Sequence, residues 1–352
     1  MNTTMNAAVL TRYGQFQWQH VNVPTLQPDE VLVRVGYAGI CGSDQHIFAG
    51  DFHPRTPVPF VPGHEFAGTV VEVGSAVTQT KPGDRVAVDP IIPCGACAAC
   101  QVGHYSACIS LKLLGVDLDG GFGEYVAAKE HMLFKLTDNI SDKHAALVEL
   151  YSIGFHANNR AQTQADDTIA IWGAGRVGQV VLQAARTKTE NTIFAIDILD
   201  KRLEIAQHSM PNVIAINSKE QDPVNVIFDH TQGKGVDIAF EAVGHEVAVP
   251  ERPHPVRGCI QSIHGGGTVC VLGLADDPAP LIMKELIWKE AQIVASRVSH
   301  GEFSESIKHL DAGTLNADAL ISAEYPAHRI QEAFEVLENE PENYLKILLQ
   351  IS

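Results

Sequence analysis

Two rhythms of apolar and polar positions divide the chain. From Met5 to about Val88, short apolar or β-branched runs such as EVLVRV and GTVVEV alternate with Pro- and Gly-bearing breaks in LQPDE, FVPGHE and TKPGD, which predicts a β-rich region. From about Thr168 the apolar run Ile169 to Trp172 meets glycines. The segment VGQVVLQAAR follows, with apolar residues at helical spacing. Next come a strand over TIFAI, a helix over DKRLEIAQHS, and strands near Val213 to Ile216 and Val236 to Phe240. Such β-α-β alternation predicts a parallel sheet and an α/β fold. A Gly-rich turn at Gly265 to Gly267 is expected to lead into another strand, TVCVLGL. After about Ala291 short strand-like and helical pieces return.

Length and charge narrow what these regions can be. At 352 residues and 45% hydrophobic side chains, the chain is long enough for two cores. Its formal charge of −17 is spread without any basic run, which argues against nucleic acid or an anionic membrane surface as partner. Neither a basic, apolar leader nor a spanning apolar run of about 18 residues is present, so a soluble cytoplasmic protein is expected.

Four of the seven cysteines, Cys94, Cys97, Cys100 and Cys108, crowd into CGACAACQVGHYSAC. Thiolates so closely spaced can converge on one ion, and four of them satisfy tetrahedral Zn²⁺ with no open position, a structural site. Disulfides, unrelated buried thiols or an iron–sulfur cluster are the competing readings. Upstream, Cys41 in CGSDQH and His64 with Glu65 in PGHEFAG offer a thiolate, an imidazole and a carboxylate, a set that can leave a coordination position open for chemistry. Cys259 and Cys270 read as inert core thiols.

Gly173-Ala174-Gly175-Arg176-Val177-Gly178 follows the strand IAIW and opens a helix. This is the context in which a G-x-G-x-x-G turn receives a pyrophosphate at a helix N-terminus. Asp197 ends the next strand, where a carboxylate accepts from a ribose diol and repels a 2′-phosphate. That favours NAD, while Lys201 and Arg202 keep NADP open.

The stretch GHEFAGTVVEVGSAV, with CGSDQH and the four-cysteine loop, closely resembles the zinc-dependent medium-chain dehydrogenase/reductase family. Order and spacing look like its sorbitol (polyol) and threonine dehydrogenase branch. The resemblance implies a GroES-like catalytic domain from residues 1–153 and 291–352 and a Rossmann doubly wound domain over 154–290. Substrate is then expected in the cleft between them. It implies catalytic zinc on Cys41 and His64, with Glu65 a ligand or close beside, and Glu149 in ALVELYSIGFHA at the place of the family's zinc-proximal glutamate. Leu150 and Tyr151 follow here instead of proline and a small or apolar residue. Ser43 and His46 match a proton relay, with helix capping and surface exposure as their plain alternatives. Gly244, Leu272 and Gly273 fall beside the nicotinamide or serve packing, and Ser296 and Arg297 lie near the cofactor.

The activity so implied is NAD-dependent oxidation of a secondary alcohol of a polyol, sugar or sugar acid, with a hydroxy amino acid of the threonine type, or an inactive binding protein, as alternatives. One catalytic and one structural zinc per chain, a small-molecule substrate and a homo-oligomer, dimer or tetramer, belong to the same expectation. His53 and Arg55, in the segment Phe48 to Phe60, are expected to line the pocket, Arg55 as a candidate partner for a substrate carboxylate or phosphate.

Overall fold

The computed structural model describes residues 3–244, 249, 252–275 and 278–352, which form two compact units. The first comprises Met1–Glu149, Phe303–Gly313 and Ile321–Ser352, and the second Leu150–Glu302 with Thr314–Leu320.

In the first unit a seven-stranded sheet runs in the order Ile321–Pro326, Lys346–Gln350, Glu30–Gly39, Glu65–Val73, Arg85–Val88 and Leu133–Lys135, with Tyr125–Lys129 paired to Glu30–Gly39. The C-terminal strand Lys346–Gln350 pairs antiparallel with Glu30–Gly39, so the last residues of the chain lie beside early ones. The helix Gly42–Ala49 leaves that sheet after Ile40, and its apolar anchor is Phe48. The Phe48 ring lies 5.0 Å from Phe334 and 5.5 Å from Phe16, in a buried aromatic cluster with Phe122. A second core of Ala67, Ala87, Ile140, Ala145, Val148, Phe303 and Ile307 draws the helix Phe303–Asp311 onto this unit.

The second unit holds a six-stranded, all-parallel sheet in the order Val213–Asn217, Ile193–Asp197, Ile169–Trp172, Val236–Glu241, Ile263–Val271 and Gln292–Ala295. In chain order this is 3-2-1-4-5-6, the doubly wound arrangement. Alternation along one strand feeds two cores. Ile169 and Ile171 enter the cluster with Val181, Ala185 and Leu203, whereas Ala170 and Trp172 enter the one with Ile227, Cys259 and Ile260. Both faces are thus covered, as a parallel sheet requires.

Three sequence-based expectations move. Gln292–Ala295, expected in the metal-binding region, pairs with Ile263–Val271 and completes the parallel sheet, because its ladder from Thr268↔Gln292 to Val271↔Ala295 continues the same topology. The second unit accordingly runs to Glu302 and takes in 314–320. Gly265 to Gly267 are not a turn before a strand but part of one: the ladder passes from Val236↔Ile263 to Ile238↔Thr268, so the glycines form a bulge.

Candidate functional site

Cys41 is the N-cap of the helix Gly42–Ala49. Its backbone N–H donates to Asp44 Oδ2 at 2.8 Å, a capping arrangement that buries the Asp44 carboxylate. The other oxygen, Asp44 Oδ1, stands 3.4 Å from His64 Nδ1. One carboxylate therefore fixes both the loop that carries the thiol and the face of the imidazole. Ser43 is not the helix cap, and its Oγ lies 3.5 Å from His64 Nε2.

Glu65 follows at the start of its strand, opposite Gly39 in the ladder. A Cβ on Gly39 would collide with Glu65 Oε2, so only glycine leaves room for the carboxylate. Lys346 supplies its counter-charge. The ammonium group donates to Ile40 O at 3.1 Å and to Glu65 Oε2 at 2.5 Å, with both side chains fully buried.

Ligand atoms of Cys41, His64 and Glu65 all lie within 4.8 Å of one another. Burial and the Glu65 charge push the Cys41 thiol up, but His64 and Lys346 outweigh them and leave it below the usual thiol range. Burial alone would depress His64. Asp44 and Cys41 reverse that and raise it well above the ordinary imidazole value. Glu149, buried near the start of the helix Val148–Ala161 and outside the 4.8 Å set, is raised well above a normal carboxyl, first by burial and then by Glu65. The departure at Tyr151 is absorbed within the second unit, where its hydroxyl donates to Gln183 Oε1 at 3.0 Å.

Thiolate, imidazole and carboxylate converging in a buried site, with Asp44 behind the imidazole, suit Zn²⁺. The four-cysteine lobe suits it too. Cys97 and Cys100 sulfurs are 3.5 Å apart and those of Cys94 and Cys100 4.0 Å, around the roughly 3.8 Å edge of a tetrahedron with Zn–S bonds of about 2.3 Å. All seven cysteines are free, so the disulfide reading falls. Backbone N–H groups of Cys100 and Ile109 bring the Cys97 thiol to about 6, while burial takes Cys100 to about 12. Cys259 and Cys270 are buried and shifted upward by that burial, as inert thiols should be.

In the second unit Gly173 has φ 97°, and a Cβ on Gly178 would strike the Gly173 carbonyl, which is why the turn into the helix Arg176–Arg186 needs both glycines. Gly175 is the N-cap, with Arg176 and Val177 in the first turn. Asp197 Oδ2 accepts from Ala174 N at 2.8 Å and Oδ1 from Ile198 N at 2.7 Å, which holds the carboxylate against the glycine turn. Arg202 Nη1 is 3.6 Å from Asp197 Oδ2. Gly244 and Gly273 are in close approach at the carboxyl ends of two neighbouring strands, and Leu272 N donates to Glu241 O at 2.9 Å. Ser296 N donates to Val271 O at 3.0 Å, and exposed Arg297 follows it.

On the loop after the first helix, Arg55 is already occupied. Its Nε and Nη2 donate to the two oxygens of Asp117 at 3.0 and 2.8 Å. His53 Nδ1 meets the Tyr13 hydroxyl at 3.1 Å. His46 Nδ1 is 2.8 Å from Asp51 Oδ2.

Asp44, Lys346 and Asp51 are site residues that sequence reasoning passes over. Asp44 carries a signal, since a carboxylate three residues after a helix-capping position is a capping-box partner. Lys346 carries none, being 281 residues from Glu65.

Fold and site together define a metal-dependent dehydrogenase of two units, and comparison with known proteins agrees. The alcohol dehydrogenase GroES-like domain family matches residues 27–138, and the zinc-binding dehydrogenase family matches 177–312. Sorbitol dehydrogenase of Bacillus subtilis (strain 168) is 34% identical over 94% of this chain and 93% of its own. An alcohol dehydrogenase of Escherichia coli CFT073, solved with NADH, is 28% identical with a TM-score of 0.89 over 99% of this chain and 100% of its own. A zinc-binding dehydrogenase of Sinorhizobium meliloti 1021, solved with NADP, is 26% identical with a TM-score of 0.90 over the same shares. The chain belongs to the zinc-dependent medium-chain dehydrogenase/reductase family. It is an NAD(P)-dependent alcohol dehydrogenase acting on a small molecule. No helix among the described residues is long and apolar enough to cross a membrane.

Proposed function

We propose that this enzyme oxidises a secondary alcohol of an uncharged polyol or sugar to a ketone, with NAD⁺ as acceptor and zinc held by Cys41, His64 and Glu65. The convergence of those three donors within 4.8 Å carries the reading. When bound, the metal supplies a Lewis acid that acidifies the alcohol hydroxyl, and the nicotinamide takes the hydride.

The chain's own residues do the rest. Asp44 holds His64 Nδ1, so the ring presents Nε2 to the site. Lys346 balances Glu65 where both side chains are fully buried. Ser43 and His46, three apart on one helix and so neighbours on its surface, pass the proton outward from Ser43 Oγ to His46. Asp51 accepts from His46 Nδ1 and leaves Nε2 to receive it.

Two features support the choice of substrate and cofactor. Arg55, the cation the sequence offers for a substrate carboxylate or phosphate, is committed to Asp117, which favours a neutral polyol, as sorbitol is for the Bacillus relative. Asp197 is a fixed negative charge beside the glycine turn and partly neutralises Arg202, which favours a free ribose diol over a 2′-phosphate.

A screen of polyols, sugars, sugar acids and their phosphates, followed by NADH absorbance, tests the proposal. Neutral polyols with NAD⁺ should give the highest kcat/KM and metal analysis two zinc ions per chain. Preference for a phosphate or carboxylate substrate, or for NADP⁺, would overturn the corresponding half.

A further inference from the structure

In a doubly wound sheet a ligand settles outside the carboxyl ends of the strands, where the strand order reverses. In the order 3-2-1-4-5-6 that point lies between Ile169–Trp172 and Val236–Glu241, whose last residues, Trp172 and Glu241, are partners in the ladder. Trp172 leads into the glycine turn, and Ala242, next after Glu241, donates its N–H back to Trp172 O at 2.8 Å. Glu241 therefore stands one strand across from the turn suited to a pyrophosphate. Asp197, suited to the adenosine ribose, ends the strand on the other side of that turn. A dinucleotide fixed at those two points sends its nicotinamide half toward the ends of Val236–Glu241 and Ile263–Val271.

Glu241 is 5% exposed and braces both turns there. Its Oε1 accepts from Val243 N at 3.0 Å and Gly244 N at 3.2 Å, and its main-chain carbonyl accepts from Leu272 N and Gly273 N at 2.9 and 3.1 Å. A Cβ on Gly273 would collide with Glu241 Oε2 and with Gly244 N, so the carboxylate sits tightly between the two turns. Bracing alone does not call for a charge, because the carbonyl oxygen of a glutamine accepts two N–H groups equally well. Among the described residues no lysine or arginine pairs with Glu241, and no donor reaches Oε2. A carboxylate buried without a counter-ion costs stability. Its field is also screened little by salt, and it reaches Cys259, whose thiol is held up first by burial and then by Glu241.

The nicotinamide ring carries one positive charge in NAD⁺ and none in NADH, so a fixed anion near it acts on one form and not on the other. Only such a difference can shift the balance between two bound states. We propose that Glu241 sets the redox preference of the cofactor site: its carboxylate, fixed between the turns at 242–244 and 272–273, favours the pyridinium of NAD⁺ over the neutral ring of NADH and so eases release of the reduced cofactor after alcohol oxidation. The proposal rests on the reading above that places the adenosine ribose of NAD⁺ at Asp197.

Isothermal titration calorimetry of NAD⁺ and NADH without substrate, on the full zinc-loaded chain, tests this through the ratio of Kd for NAD⁺ to Kd for NADH. Glu241→Gln keeps the shape and the acceptor but not the charge, and should raise that ratio on the order of tenfold. Glu241→Asp keeps the charge on a shorter arm, and should weaken both forms while leaving the ratio near that of the wild type. A ratio unmoved by Glu241→Gln, or moved equally by Glu241→Asp, would reduce Glu241 to a brace and overturn the proposal. A wild type that binds neither form would overturn the cofactor reading and this proposal together. Tighter binding of NADP⁺ would end the NAD⁺ reading alone, and the ratio is then read with NADP⁺ and NADPH, which differ by the same charge. Should the glutamine variant fail to fold, the wild type decides, with a dinucleotide in which a neutral benzamide ring replaces the nicotinamide. NAD⁺ should bind more tightly than this isostere, and equal or tighter binding of the isostere would overturn the proposal.

Discussion

Lys346 and Glu65 form an ion pair whose two side chains are both fully buried, 2.5 Å apart, at the edge of the Cys41–His64 site. Removing one partner of such a pair leaves a charge in a medium that cannot solvate it. Lys346→Met should therefore cost about 3–5 kcal/mol of stability and lower zinc retention at the open site. Glu65→Gln/Lys346→Met should recover much of the stability but not the zinc. Denaturant unfolding with metal analysis of each variant checks this, and a Lys346→Met protein with unaltered stability and zinc would refute it.

The proton path makes a kinetic prediction. His46→Gln should lower kcat on the order of ten- to a hundredfold with little change in KM, and added imidazole should restore part of the rate. Asp51→Ala should act in the same direction and more weakly, because it frees the ring to turn rather than deleting it. Equal rates for both variants and the wild type would remove the relay from this helix.

Asp117 links stability to substrate choice. Burial would raise its carboxyl, but the Arg55 hydrogen bonds and the Leu113 N–H lower it below the usual aspartate value. A folded-state value below the unfolded one stabilises the protein above the unfolded value, about 3.9, and that contribution fades as the pH falls through the folded one. Asp117→Asn should thus cost about 1 kcal/mol at pH 7, with the difference from wild type shrinking below about pH 4. The same change frees Arg55, so activity on a sugar acid relative to its neutral polyol should rise. If the ratio does not move, Arg55 is not near substrate.

The cysteine lobe can be read by its thiols. With zinc removed by a chelator, alkylation of Cys97 should rise with pH through about 6, since the thiolate is the nucleophile. Zinc-loaded protein should resist it. Cys100→Ser should lose one of two zinc ions per chain and lower Tm while leaving the ion at the Cys41 site.

Much of this was legible in the chain itself because it is local. The spacing of Cys94, Cys97, Cys100 and Cys108, the glycines of 173–178 behind a strand, and the alternation of strands and helices all act over a few residues, where backbone geometry follows directly from residue type. Boundaries were less legible. Gln292–Ala295 looks like any short strand, and only its partner in the ladder assigns it to the parallel sheet.

The sequence by itself determined the fold class, the two groups of candidate metal ligands and the glycine turn into the helix Arg176–Arg186. Tertiary structure decided which charges meet: Lys346 with Glu65, Arg55 with Asp117, Asp44 with His64. It also decided which apolar residues, Ile287 and Trp288 among them, stay exposed. Ion pairs and burial depend on distance in space, and partners up to 281 residues apart leave no mark of their meeting on the order of residues along the chain.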